Sequence, residues 1–236
     1  MKKRIFFPPI FLFLFSVLFI NLRENQLNDT NVNSNQYSCP VAQRRYSTPL
    51  DTLYKSGARI KDNGLLLGDS VVYGIEDLRL FGLTDWVSIG QNSQTSQCLL
   101  YEIDSFLNLG SPYIVLYIGG NDVDRGIPSH VICKNVENII TKIQKNDQLV
   151  ALSEIHGALS TYRSHKLVTE LNSCFANLTS DMNVPLITSP KSLWFNDIES
   201  AKKLSWDGEH LNNYGYAIWI DSLKGQLKNI FPFSFK

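Results

Sequence analysis

Three short stretches of the chain combine residue types that support nucleophilic chemistry. In Gly68-Asp69-Ser70, which follows an apolar run, the glycine lets the chain turn sharply and leaves the Ser70 hydroxyl exposed at the start of the next helix, as a nucleophile requires. Gly119-Gly120-Asn121-Asp122 follows another such run. Its glycines permit close backbone approach, and Asn121 can aim an amide N–H at a developing negative charge. Near the C-terminus, Asp207-Gly208-Glu209-His210 is spaced so that one turn brings the Asp207 carboxylate to His210 Nδ1. That contact fixes the imidazole tautomer and leaves Nε2 to face Ser70.

Each stretch also has an ordinary reading. Serine after a strand is a common helix N-cap, Gly-Asn-Asp clusters are common turns, and Asp207 with His210 can form a capped helix start beside a surface histidine. The order of the three stretches, and their placement after apolar runs, favours chemistry over caps. Asp69 and Asp122 are expected to support their loops rather than react. His156, in Glu154-Ile155-His156-Gly157, is a candidate for substrate contact, set against a structural role. Trp194, Phe195 and Trp206 precede Asp207 and either wall a substrate pocket, with Trp206 the nearest candidate, or close the core.

The elements that must position these residues are legible as alternating patterns. Leu65-Leu66-Leu67, Trp86-Val87-Ser88-Ile89, Ile114 to Ile118, Leu149 to Ser153 and Val184 to Thr188 are apolar runs of strand length. Between the second and third runs, Leu99, Leu100, Ile103, Phe106 and Leu107 recur at helical spacing; Val136, Ile139, Ile140 and Ile143 do so before the fourth, and Leu167, Val168, Leu171, Phe175 and Leu178 before the fifth. Strands that are apolar throughout belong to a parallel sheet covered on both faces, so a three-layer α/β/α domain with a five-stranded sheet is expected. In such sheets ligands bind beyond the carboxyl ends of the strands, which is where the three stretches fall.

The composition, 44% hydrophobic and 19% charged over 236 residues, suits one globular domain. Lys plus Arg equals Asp plus Glu at 22 each, which leaves no field to recruit nucleic acid. Met1-Lys2-Lys3-Arg4 precedes an apolar run from Ile5 to Ile20, broken by Pro8, Pro9 and Ser16. Residues 1–22 therefore read as a signal peptide or an N-terminal membrane anchor, either of which exports the rest. The flank Phe19-Ile20-Asn21-Leu22-Arg23 lacks the small residues of a cleavage site, while the prolines shorten any span, so both forms stand. Residues 23–60 read as a polar tether and lead-in, and 61–236 as the catalytic domain. Cys39, Cys98, Cys133 and Cys174 can pair in an oxidising compartment with three possible connectivities, none fixed by spacing. The absence of any C-x-x-C pair argues against zinc.

From Gly64 to Ile230 the sequence resembles the SGNH hydrolases, also called GDSL lipases and esterases. The first family block resembles Leu67-Gly68-Asp69-Ser70, the third Gly119-Gly120-Asn121-Asp122, and the last Asp207 to Tyr216, including His210-Leu211-Asn212 and Gly215-Tyr216. The resemblance implies a flavodoxin-like sheet and hydrolysis of a small-molecule or envelope acyl ester by Ser70, His210 and Asp207, without metal or cofactor. It also implies oxyanion donors from Ser70 N–H, Asn121 and the second block. There the sequence departs from the pattern: Gln94-Thr95-Ser96 aligns so that Ser93 stands at the family's glycine, and Gly90 is the only glycine nearby. The second-block donor is therefore Ser93 or Gly90. Two other functions share this reading: an envelope polysaccharide O-acyltransferase using the same triad, and a catalytically silent domain that binds glycan or lipid.

Overall fold

The computed structural model describes Cys39, the backbone of Arg44–Tyr46, and residues 64–159, 163–195 and 197–231. The N-terminal segment 1–22 and most of the tether lie outside the described residues. Cys39 opens a compact unit that runs to Lys236.

Six strands form one sheet: β1 (Arg44–Tyr46), β2 (Gly64–Gly68), β3 (Trp86–Gln91), β4 (Tyr113–Tyr117), β5 (Leu149–Ser153) and β6 (Leu186–Ile187), in the order β1-β3-β2-β4-β5-β6. The five expected strands are all parallel to one another. The sixth, β1, pairs antiparallel with β3 and covers that edge, so the stretch read as lead-in contributes a strand. Covering an open row of backbone donors and acceptors removes a site for unwanted pairing.

Strands β2 and β3 are buried along their full lengths, which only a sheet sandwiched between helices allows. The helices are α1 (Ser70–Tyr73), α2 (Ser96–Leu107), α3 (Gly120–Asp124), α4 (Ser129–Lys145), α5 (His165–Met182), α6 (Ile198–Leu204) and α7 (Asn213–Ile230). Helix α4 buries Ile132, Val136, Ile139, Ile140 and Ile143, the stripe that its spacing predicts. Helix α5 buries Val168, Leu171 and Phe175, while Leu167 in its first turn is exposed. Each long helix after a loop starts on a side-chain cap where the sequence supplies one. Thr95 accepts from Cys98 N–H, Ser164 from Leu167 N–H, and Asn212 from Tyr214 and Gly215 N–H.

Helices α2, α4 and α5 pack side by side. Tyr216 of α7 reaches across to donate to the Val71 carbonyl in α1 at 2.7 Å. Right-handed crossovers explain the grouping: the chain steps from β2 outward to β3, then back across β2 to β4 and on to β5 and β6, so α1 falls on one face and α2, α4 and α5 on the other. The reversal makes the gap between β2 and β4 the switch point of the sheet, where such folds place their ligands. Gly68 of β2 stands level with Gly90 of β3 and Tyr117 of β4, so the three following loops leave the sheet along one line.

The four cysteines form two disulfides, Cys39–Cys98 and Cys133–Cys174. The first ties the start of the unit to α2 and the second staples α4 to α5, one of the three arrangements open to the sequence.

Candidate active site

Ser70 is the first residue of α1, directly after β2. The cap is supplied by Asp69, whose Oδ1 accepts Val71 N–H at 2.9 Å. The Ser70 hydroxyl is therefore not spent on capping. Asp69 is the loop support that the sequence suggested. Burial pushes its carboxyl up to about 6, against the pull of the Arg163 charge.

His210 Nε2 lies 2.9 Å from Ser70 Oγ, and His210 Nδ1 lies 2.7 Å from Asp207 Oδ2. The other carboxylate oxygen of Asp207 accepts the backbone N–H of Glu209 at 2.9 Å and of His210 at 2.7 Å, so the turn is built by the same side chain that meets the imidazole. Partial burial would raise the Asp207 carboxyl, but the hydrogen bonds from His210 and Glu209 outweigh it and hold the group below the ordinary carboxylate range. An ionised Asp207 can only accept, so Nδ1 carries the proton and Nε2 accepts from the Ser70 hydroxyl.

The two remaining blocks are laced together by α3. Asn121 Nδ2 donates to the Gln94 carbonyl at 3.0 Å, which fixes the amide with one N–H committed and one left to point elsewhere. Asp122 is buried and takes both the N–H and the hydroxyl of Ser96, the latter at 2.6 Å. Arg125 donates to the Ser93 carbonyl at 3.2 Å. Between these ties Ser93 adopts φ 58°, the left-handed conformation that usually falls to glycine. The serine thus makes the turn that a glycine would make.

Gly90 proves to have a different duty. It lies within β3, paired with Gly68 on one side and Arg45 on the other. A Cβ there would stand 1.9 Å from Tyr73 N, so Gly90 is needed for α1 to approach the sheet and is not the second-block donor. His156 is likewise corrected. Its ring is fully buried, with Nε2 2.8 Å from the Glu209 carbonyl and Nδ1 on the Tyr117 hydroxyl. A carbonyl cannot donate, so Nε2 holds the proton and Nδ1 accepts from Tyr117. Burial lowers the imidazole to about 4, and His156 is a neutral strut beneath the Asp207–His210 loop rather than a substrate contact.

A cavity of about 520 Å³ opens beside Ser70 and His210. Ile75, Leu211 and Tyr216 form its buried side, and Leu80 and Trp206 its exposed rim. Trp206 is 75% exposed, so it walls the cavity, whereas Phe195 is wholly buried in the core. Trp194 lies over Gly157 and against the His165 ring. Among the described residues no group of His, Cys, Asp and Glu gathers as a metal site would require.

A hydroxyl, an imidazole and a carboxylate in line over the switch point of a three-layer α/β/α sheet define the class of fold and site. The GDSL-like lipase/acylhydrolase family model matches residues 66–218, and the chain belongs to that family, whose members hydrolyse acyl esters. Among curated proteins no sequence gives a significant match. Solved structures share the fold. A GDSL-like lipase from Bacteroides thetaiotaomicron is 16% identical with a TM-score of 0.62, covering 77% of this chain and 98% of its own. The esterase EstA from Pseudoalteromonas sp. is 22% identical at 0.59, covering 72% and 99%, and the acetyl xylan esterase AlAXEase is 21% identical at 0.58, covering 70% and 99%.

Arg163, a lone arginine in Thr161-Tyr162-Arg163-Ser164, stands in no motif, and no local spacing joins Tyr117 to His156. Asp122 could be singled out from its motif, but its partner Ser96 sits 26 residues away and no spacing rule joins them.

Proposed function

We propose that the protein is an exported serine esterase in which Ser70 is the nucleophile, His210 the general base and Asp207 its orienting carboxylate. The observation that carries this is the unbroken chain from Asp207 Oδ2 through His210 to Ser70 Oγ, with links of 2.7 and 2.9 Å. Ser70 Oγ attacks the ester carbonyl carbon as its proton passes to His210 Nε2. The N–H groups of Ser70 and Ser93 and the Asn121 amide hold the resulting oxyanion. The carbon–oxygen bond to the alcohol then breaks, and His210 returns the proton to the departing oxygen. Water, deprotonated by His210, attacks the acyl-enzyme; the acid leaves and Ser70 regains its proton.

Ser93 stands where the family has glycine, and its left-handed turn supports an intact oxyanion site over a silent binding domain. The cavity is of the size that takes a small ligand, and its apolar wall suits an acyl or aryl group. Export is supported by the basic, then apolar, N-terminus and by the pairing of all four cysteines.

The test is fluorophosphonate labelling and p-nitrophenyl ester hydrolysis by the purified chain and by Ser70→Ala. The variant is expected to fold as wild type, to take no label and to lose turnover by about a million-fold or down to the assay floor. Turnover retained by pure Ser70→Ala would remove the assignment, and acyl transfer that needs a sugar acceptor would make the protein a transferase.

A further inference from the structure

Arg163 is 3% exposed, yet it carries a full charge directly beneath the site. Its Nε and Nη2 grip the Asp124 carboxylate as a fork, the Nε contact at 2.9 Å. The same Nη2 lies 3.7 Å from Glu209 Oε2. The flat guanidinium also covers Gly120: a Cβ there would stand 2.9 Å from Arg163 Cζ and 3.0 Å from both terminal nitrogens. The second glycine of the Gly119-Gly120 pair is thus the seat of this cation. Burial pulls the guanidinium pKa down, but the Asp124 bonds and charge more than reverse this, so the group stays protonated.

The carboxylates it joins belong to different parts of the machinery. Asp124 ends α3, the helix that carries Asn121; Glu209 is the neighbour of His210. Helix α3 has five residues and no side-chain N-cap, too short to hold a position by itself. The 207–210 loop is closed by the Ser205–Leu211 bridge and propped by His156 on the Glu209 carbonyl, contacts that hold its own shape but do not reach α3. Among the described residues, no hydrogen bond or ion pair other than those through Arg163 links α3 to that loop.

We propose that Arg163 is a positioning residue for the hydrolysis: it clamps the helix bearing the oxyanion amide to the loop bearing the general base, so that Asn121 and His210 keep one register about the reacting carbon. This rests on the triad assignment above. Bidentate geometry is what the role needs, because a fork fixes orientation where a point charge fixes only distance.

The decisive measurement uses the full chain and four variants: Arg163→Lys, Asp124→Asn, Glu209→Gln and the Asp124→Asn/Glu209→Gln double. Each is followed by kcat and KM on p-nitrophenyl butyrate and by the rate of fluorophosphonate labelling. Arg163→Lys keeps the charge and loses the fork; kcat and labelling rate are expected to fall about ten- to a hundredfold with KM changed less than about threefold. The two carboxylate variants are each expected to lower kcat, and the double to lose about as much as the worse single, because both act through one guanidinium. A folded Arg163→Lys with wild-type kcat overturns the proposal, as do carboxylate effects that simply multiply. If Arg163→Lys fails to fold, the carboxylate cycle decides alone. A wild-type chain without Ser70-dependent labelling overturns the triad assignment and this inference with it; labelling that is Ser70-dependent but indifferent to all four variants overturns only the clamp.

Discussion

At the scale of single residues, the site depends on conformations as much as on side chains. Ser93 is the sharpest case, since the contribution proposed for it is a backbone N–H held at φ 58°. A β-branched residue resists that region, whereas glycine enters it freely. Ser93→Gly is therefore expected to keep kcat/KM within about twofold, and Ser93→Val to lower it by about tenfold or more as the donor is displaced. Steady-state kinetics on the two variants checks this, and equal activity in both would take Ser93 out of the oxyanion site. Asp69 offers a test by pH. Its folded value of about 6 lies above the ordinary 3.8, so over that window the folded chain binds more proton than the unfolded one, and the stability owed to this group falls as pH rises. Asp69→Asn keeps an acceptor for Val71 N–H and carries no charge. Its unfolding free energy relative to wild type is expected to climb between pH 4 and pH 6 and level off above. Chemical denaturation at several pH values reads this directly, and a difference independent of pH would contradict it. His156, lowered to about 4, works in the opposite sense, losing stability as pH falls, which is why the variant must be compared with wild type. Ser70, Asn121, Asp207 and His210 are legible in the sequence as candidates because each falls in a short local motif. Arg163 is not, and neither are the partners of His156, because the contacts span 39 and 53 residues respectively.

At the scale of elements, the short helix α3 acts as a bracket. Its residues Asn121, Asp122 and Asp124, with Arg125 just beyond, reach the Gln94 carbonyl, Ser96, Arg163 and the Ser93 carbonyl. Asp122 is the anchor: the N–H and hydroxyl of Ser96 give it three hydrogen bonds, and Asn135 Nδ2 in α4 completes the cluster at 3.0 Å from Ser96 Oγ. Burial raises the Asp122 carboxyl while the Ser96 bonds oppose it, so the cluster is held together against a desolvation cost. Asp122→Ala would strand the Ser96 N–H in a buried place. It is expected to cost about 2–4 kcal/mol of stability and to lower kcat as the Ser93 turn loosens. A thermal melt with parallel kinetics distinguishes this from an unfolded variant, and a loss under about 0.5 kcal/mol would show that the cluster is not the anchor. The parallel strands and long helices were legible because apolar runs and 3.6-residue stripes record burial in one dimension. Strand β1 was not, since Arg44-Arg45-Tyr46 has no apolar run and is a strand only because β3 offers it an edge.

At the scale of the whole folded unit, the disulfides act on the layer that backs the site. Cys133–Cys174 joins α4 to α5 across a separation of 41 residues, and Cys39–Cys98 spans 59. Closing loops of these lengths restricts the unfolded chain by about 4 kcal/mol each in the chain-entropy picture. Neither bridge touches Ser70, His210 or Asp207, so their contribution belongs to endurance rather than to chemistry. The Cys133→Ser/Cys174→Ser variant is accordingly expected to melt roughly 10 °C below wild type, while its Ser70 labelling rate at 25 °C stays within about twofold of wild type because α4 and α5 remain packed through their buried stripes. Calorimetry and labelling on the same preparation check both halves. An unchanged melting temperature would mean that the bridge restricts the unfolded chain less than its loop length implies, and a slowed labelling rate would mean that loosening of this layer reaches the α3 bracket through Asn135, which holds Ser96.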